Sequence, residues 1–316
     1  MSRQGPSGGI RPELTFEHTQ EWEVYHNSFS LCSKKVRLCM AELGLAYRGH
    51  HIHLIETGAY ESVSRHYLKL NPAGTVPVML HNGHPVYESH EQIVYAARHA
   101  GERGRELLPG DPATKALVEH WTDCASLVGD ATRGVDRRAG HCIPPLTFPL
   151  FATMVAYIPY REILKGLLTH PNKERPLFFT VLKLRGVRGL PKLTPVMRML
   201  QRARQAMGGH LDALARQLDS HGGPWIAGER FTLADVSWVV ILDRLVEADW
   251  DSCFWGEGKR ATVAAYWERL QARPSYRSQI EALRCPITRT GIADLEQAKR
   301  ADPRLRLALE DWTGPQ

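Results

Sequence analysis

Two rhythms of apolar positions divide this chain. Between residues 21 and 101, short strand-like runs alternate with helical ones. A strand ends near Tyr25, and a helix opens close behind it with Val36, Leu38, Met40 and Leu43 as its apolar positions. A β-rich run follows from Val76 to Leu80, then a helical stretch from Ser89 to His99. From Ala113 to about Leu283 the period is helical throughout, as in 113–131, 196–218, 233–246 and 263–272. Residues 1–20, polar and Gly/Pro-rich at their start, read as a flexible tail. Gly104, Pro109, Gly110 and Pro112 punctuate a linker over 102–112. Residues 286–316 read as an amphipathic or loosely docked tail. The pattern therefore predicts an α/β domain over 21–101 and an all-α domain over 113–285, with an extended helical insertion at about 142–195.

Three local signals bear on chemistry. In Tyr25-His26-Asn27-Ser28-Phe29-Ser30-Leu31-Cys32-Ser33-Lys34-Lys35-Val36-Arg37, a strand passes through small hydroxyl residues into an abrupt helix start. A cysteine in that first turn feels the partial positive charge of unpaired N–H groups, which favours a thiolate on the protein or on a bound thiol. Further on, Asn71-Pro72-Ala73-Gly74 is a turn signal, and Pro77 near the start of the β-rich run marks an edge or a cis bend that leaves backbone groups accessible. Asn82-Gly83 predicts a tight hairpin. Glu88-Ser89 then opens a helix whose N–H groups can receive a carboxylate, while Glu88 can pair with an ammonium. A thiol partner, a backbone edge, a carboxylate receptor and an ammonium receptor together suit glutathione.

These residues carry a family resemblance. Residues 22–100 resemble the thioredoxin-like N-terminal domain of glutathione transferases in three motifs. They are S-x-C-S-x-K-x-R at Ser30–Arg37, L-N-P-x-G-x-V-P at Leu70–Pro77, and E-S at Glu88-Ser89. The first is most similar to zeta-class enzymes (maleylacetoacetate isomerases) and tetrachlorohydroquinone reductive dehalogenases. The segment from Pro224 to Ser237 resembles the N-capping box of the transferase helical domain, with Thr232 as cap and Asp235 closing the box. Trp255-Gly256 with Gly258-Lys259-Arg260, and Tyr266 with Glu268-Arg269, resemble the ganglioside-induced differentiation-associated branch.

The resemblance implies glutathione as co-substrate, with Ser30 at the catalytic hydroxyl position and Cys32 at the neighbouring cysteine. It implies Glu88 and Ser89 for the γ-glutamyl end, and Val76 with Pro77 for backbone contacts to the cysteinyl part. The glutamine of zeta enzymes is replaced by Ser62, which leaves recognition of the glycyl end open. Tyr25 and Tyr47 are read as strand residues and poor thiolate donors. Transfer of glutathione to a small apolar or aromatic electrophile is the leading expectation. Reductive dehalogenation or disulfide reduction through Cys32, cis–trans isomerisation, and a non-catalytic binding protein are the alternatives. A homodimer is implied as well.

Composition narrows this only slightly. With 316 residues, 43% of them hydrophobic, the chain can bury one or two substantial cores. Six cysteines without a C-x-x-C pair, and the lack of a signal-peptide pattern, lead us to expect reduced thiols in a cytoplasmic compartment. The net charge of +6 is scattered and accompanies no nucleic-acid motif. His50, His51 and His53 lack a completing cysteine or carboxylate, so no metal is expected. In the insertion, the apolar stretch 143–159 holds four prolines and is short for a membrane span, so no membrane insertion is expected. Lys173, Arg175, Lys183, Arg185, Arg188 and Lys192 read as a solvated face, or else as a lid whose cations meet an acidic substrate.

Overall fold

Four strands between Trp22 and Tyr87, joined by a short one at Gly9–Ile10, build a five-stranded sheet in the computed structural model, which describes residues 8–129, 137–170 and 173–311. The strands are β1 (Gly9–Ile10), β2 (Trp22–His26), β3 (Arg48–His51), β4 (Val78–His81) and β5 (His84–Tyr87), in the order β1-β5-β4-β2-β3. β2 and β3 run parallel, joined through α1 (Leu31–Leu43), and the other pairings are antiparallel. Register aligns Val24 with Met79 and Met79 with Val86, all three fully buried, on the same face. The opposite face carries Val78, Leu80 and Tyr87, which pack with Ile52, Tyr67 and Leu70. Tyr67 and Leu70 come from α2 (Arg65–Leu70), and α3 (Ser89–His99) and α4 (Gly101–Leu107) follow the last strand. The hairpin between β4 and β5 turns at Asn82 and Gly83, both at positive φ (50° and 80°), the conformation that an Asn-Gly pair adopts at least cost.

Three expectations about this region change. The stretch read as a flexible tail supplies β1 from Gly9, paired with β5, and then bonds Arg11 N–H to Pro85 O and Phe16 N–H to Gly83 O. The sheet edge supplies backbone partners that a local reading cannot see. Residues 1–7 lie outside the described residues. The segment read as a linker contains α4, and Tyr47 stands just before β3 rather than within it.

The chain divides into two compact units. The first holds the sheet, α1–α4, and two later segments, Ile158–Pro176 and Ala272–Cys285. The Ala272–Cys285 segment is pinned to α1: Arg37 donates to the Gln279 carbonyl (2.9 and 3.2 Å), and Arg273 pairs with Glu42 (2.6 Å).

The second unit is helical. Its central helix, Leu233–Glu247, is buried along nearly its whole length, and Asp235 forms the predicted capping box with Thr232. The apolar part of the insertion forms two helices, Ala139–Leu146 and Phe148–Met154, with Pro144 and Pro145 inside the first. The stretch Ala139–Tyr157 is long and apolar enough to cross a membrane by composition, yet 78% of it is buried within the protein. The predicted helix over 113–131 ends at Cys124, and its residues 130–131 lie outside the described ones. The C-terminal stretch is also better anchored than its sequence suggested. Helices Pro286–Ala301 and Pro303–Glu310 bury Leu295, Leu305 and Leu309, and Lys299 pairs with Asp249 and Glu310 at 2.7 Å each.

The cations of the insertion lie mostly on a solvated face, as expected, with Lys173, Arg175, Arg185, Arg188 and Lys192 exposed, and three of the six also bond neighbouring groups. Lys173 caps the carbonyls of Leu167 and Leu168 (2.8 Å each), and Lys183 those of Val155 and Ala156 (3.0 Å each). Arg175 pairs with Glu56.

Candidate active site

The turn after β2 is organised by a residue that the sequence reading passed over. Asn27 is fully buried, and its side-chain oxygen accepts the N–H groups of Phe29 (2.9 Å) and Ser30 (3.2 Å). Its amide nitrogen donates to Ile52 O (2.9 Å) and Thr57 Oγ1 (2.8 Å), tying the turn to the loop after β3. The cue was an asparagine at a strand end, where its side chain closes a turn on the backbone. Arg37, one turn deeper in α1, donates to Asn27 O (2.9 Å) and meets His26 Nδ1 at 3.2 Å. Burial first, and the Arg37 charge second, hold the His26 pKa down at about 3, so the imidazole is neutral.

Ser30 is the N-cap of α1, and its Oγ accepts the Ser33 N–H at 3.3 Å. Cys32 is the second residue of the helix and half-buried. It opens on a cavity of about 220 Å³ lined by Asn71, Ala73, Thr75, Val76, Pro77, Tyr87, Glu88 and Ser89. Thus Cys32, Val76, Pro77, Glu88 and Ser89 converge as the motifs implied. Ser30 and Ser62 are not among the lining residues. Ser62 is buried in the 3₁₀ turn Glu61–Val63, behind the turn that carries Gly74.

Supporting residues hold the walls in place. The Val76–Pro77 bond is cis, and the β4 ladder begins only at Val78, which leaves Val76 outside it. Gln92 donates to Pro77 O (3.1 Å), and Tyr67 OH and the Asn71 amide both donate to Thr75 O (2.6 and 2.8 Å). Glu88, exposed and at φ 66°, is the N-cap of α3, and Ser89 opens that helix. Lys35 lies one turn after Cys32 and is almost fully buried. Burial pulls its pKa down, while Cys32, Cys39 and Glu88 act in the opposite sense.

The histidines and tyrosines have other duties. His50 bonds Glu23 (2.6 Å), His51 Nε2 accepts the Ser28 N–H (3.3 Å), and His53 meets Thr57 O (3.2 Å). Among the described residues no group of three potential ligands could hold a metal. Tyr47 donates to Gln279 (2.8 Å), and Tyr25 stacks on His50 with ring centres 4.3 Å apart. A larger cavity of about 620 Å³, bordered by that stack, His51, Glu61 and Tyr67, shares no residue with the Cys32 cavity and presents no thiol.

Comparison with known proteins agrees with this geometry. Models of the glutathione S-transferase N-terminal and C-terminal domains match residues 29–99 and 200–284. Glutathione S-transferase TCHQD of Arabidopsis thaliana is 26% identical over 264 residues, covering 82% of this chain and 89% of its own length. Tetrachloro-p-hydroquinone reductive dehalogenase of Sphingobium chlorophenolicum is 24% identical over 260 residues, covering 81% and 94%. In fold, the β-etherase LigF of Sphingobium sp. strain SYK-6 superposes with a TM-score of 0.65 at 21% identity, over 83% of this chain and all of that one.

Proposed function

Since this chain belongs to the glutathione S-transferase superfamily, we propose that it binds glutathione in the Cys32 cavity and carries out thiol exchange on a glutathionylated small aromatic substrate. The observation that carries this reading is the division of labour in the first turn of α1. Cys32 faces the cavity, whereas Ser30 Oγ caps the helix. The γ-glutamyl ammonium pairs with Glu88, and its carboxylate meets the N–H groups at the start of α3 beside Ser89. The cysteinyl backbone lies along Val76, which puts its sulfur beside the N-terminal end of α1.

The reaction runs in three balanced steps. A glutathione thiolate displaces the leaving group of the aromatic electrophile as an anion. The Cys32 thiolate then attacks the sulfur of that conjugate: a disulfide forms between Cys32 and glutathione, the aryl–sulfur bond breaks, and the aryl carbon takes up a proton. A second glutathione thiolate resolves the mixed disulfide, releasing oxidised glutathione and the Cys32 thiolate. The arene is reduced by two electrons that come from two glutathiones. The reductive dehalogenase among the relatives supports this class of reaction.

Simple conjugation is the second reading. As a helix cap, Ser30 uses an oxygen lone pair, so its hydroxyl hydrogen remains to donate to a thiolate. Two variants separate the readings in assays with chlorinated hydroquinones and with conjugation substrates. Cys32→Ser should abolish reduction and leave conjugation, while Ser30→Ala should slow conjugation by ~10²-fold, the scale of one lost thiolate donor. Full reductive activity in Cys32→Ser would sink the thiol-exchange reading.

A further inference from the structure

The inserted segment meets the loop between β3 and α2 at a buried charge. Glu56, in the 3₁₀ turn Ile55–Thr57, is 5% exposed, and one of its carboxylate oxygens bonds the Arg175 guanidinium. Its other oxygen is buried without a hydrogen-bond partner among the described residues. Beside it, Tyr60 is 2% exposed, with a buried hydroxyl likewise unpartnered there. The Tyr60 ring packs edge-to-face on His170 (5.5 Å) and so tightly on Gly166 that any Cβ at that glycine would overlap it. Arg175 is itself 42% exposed, so removing its guanidinium leaves the buried carboxylate uncompensated beside solvent, which favours a shift of the loop that carries it towards water.

That loop supports two walls of the site. Thr57, next to Glu56, accepts the Asn27 amide, and Asn27 in turn holds the Phe29 and Ser30 N–H groups. At the loop's far end the Ser62 carbonyl lies against Gly74, close enough that a Cβ there would approach it to 3.1 Å. With the γ-glutamyl end at Glu88 and the thiol at Cys32, the 71–75 turn is the wall left for the glycyl arm of glutathione.

We propose that Arg175, supplied by the insertion, is a positioning residue for the glutathione site: by neutralising Glu56 it keeps the loop closed on Gly74 and so sets affinity for the glycyl end. This rests on the glutathione reading above. The test is calorimetry with glutathione and with γ-glutamylcysteine, which lacks the glycyl end, together with steady-state kinetics. Arg175→Ala should weaken glutathione and raise its KM by about 10-fold with little change in kcat, and alter γ-glutamylcysteine affinity by less than about 2-fold. Arg175→Lys should restore part of the loss. The double variant Glu56→Gln/Arg175→Gln should restore most of it, because the buried charge is gone. Equal losses for both peptides, a lowered melting temperature with unchanged affinity, or no rescue in the double variant would overturn the proposal. A wild-type protein that binds neither peptide would instead remove the glutathione reading, and this inference with it.

Discussion

Glu88 is held at φ 66°, a conformation that few side-chain-bearing residues adopt, and it places a carboxylate at the rim of the Cys32 cavity while its carbonyl accepts the Gln92 N–H at 2.9 Å. Its side chain caps nothing in α3, so it is available to a ligand ammonium. Glu88→Ala should weaken glutathione binding by about 1.5–3 kcal/mol, the worth of a charge-assisted hydrogen bond, with little change in stability. Calorimetric affinity equal to that of the wild type would remove Glu88 from the site. Residues such as Glu88, Ser89, Val76, Pro77 and Cys32 were legible in the sequence because each signal is local: a helix start, a turn, a proline beside a strand. Asn27 and Arg175 were not. Asn27 closes its turn locally, but its tie to the loop after β3 and the pairing of Arg175 with Glu56 depend on partners 25, 30 and 119 residues away, and no local pattern encodes those.

Helix starts and hairpins are where the sequence spoke most clearly at the scale of elements. The span of α3 follows from its helical period, the turn at Asn82-Gly83 from a pair that adopts positive φ at little cost, and the Thr232–Asp235 box from side chains that bond backbone three residues away. β1 and the two C-terminal helices escaped because a sheet edge and a helical core, distant in the chain, supply their stability. Asp235 shows how much one such residue can hold. It accepts from Ile226 N–H (3.0 Å), Thr232 N–H (2.8 Å) and Tyr266 OH (2.8 Å), and all of these groups are buried. Asp235→Ala should lower stability by about 2–4 kcal/mol, since it removes the cap and strands several donors. Urea unfolding would measure it, and a loss below about 0.5 kcal/mol would mean that the box is not what anchors the buried helix.

For the whole molecule, acid is the telling perturbation, because two groups in β2 are tuned in the same direction. His26 is neutral in the fold, with burial first and Arg37, His51 and His50 behind it bringing its pKa from 6.5 to about 3. The unfolded chain therefore binds a proton that the folded one refuses. The stability this contributes is complete above pH 6.5 and falls away as the pH drops towards 3. Glu23 is opposed by burial, but hydrogen bonds from Thr19, His50 and the Gln20 N–H outweigh it and lower its pKa from 4.5 to about 2. Its contribution is complete above pH 4.5 and is lost as the pH approaches 2. Both losses strike β2, the strand that leads into Asn27 and Cys32, so the site and the sheet should fail together. Melting followed by circular dichroism should show a midpoint that is steady above pH 6.5 and falls continuously below it. His26→Gln should flatten the decline between pH 6.5 and 4.5, where Glu23 is not yet titrating, and leave the steeper loss below. A wild-type midpoint that stays level from pH 6.5 to 4.5 would show that His26 accepts its proton without disturbing the fold, and that Arg37 is not held against a neutral imidazole.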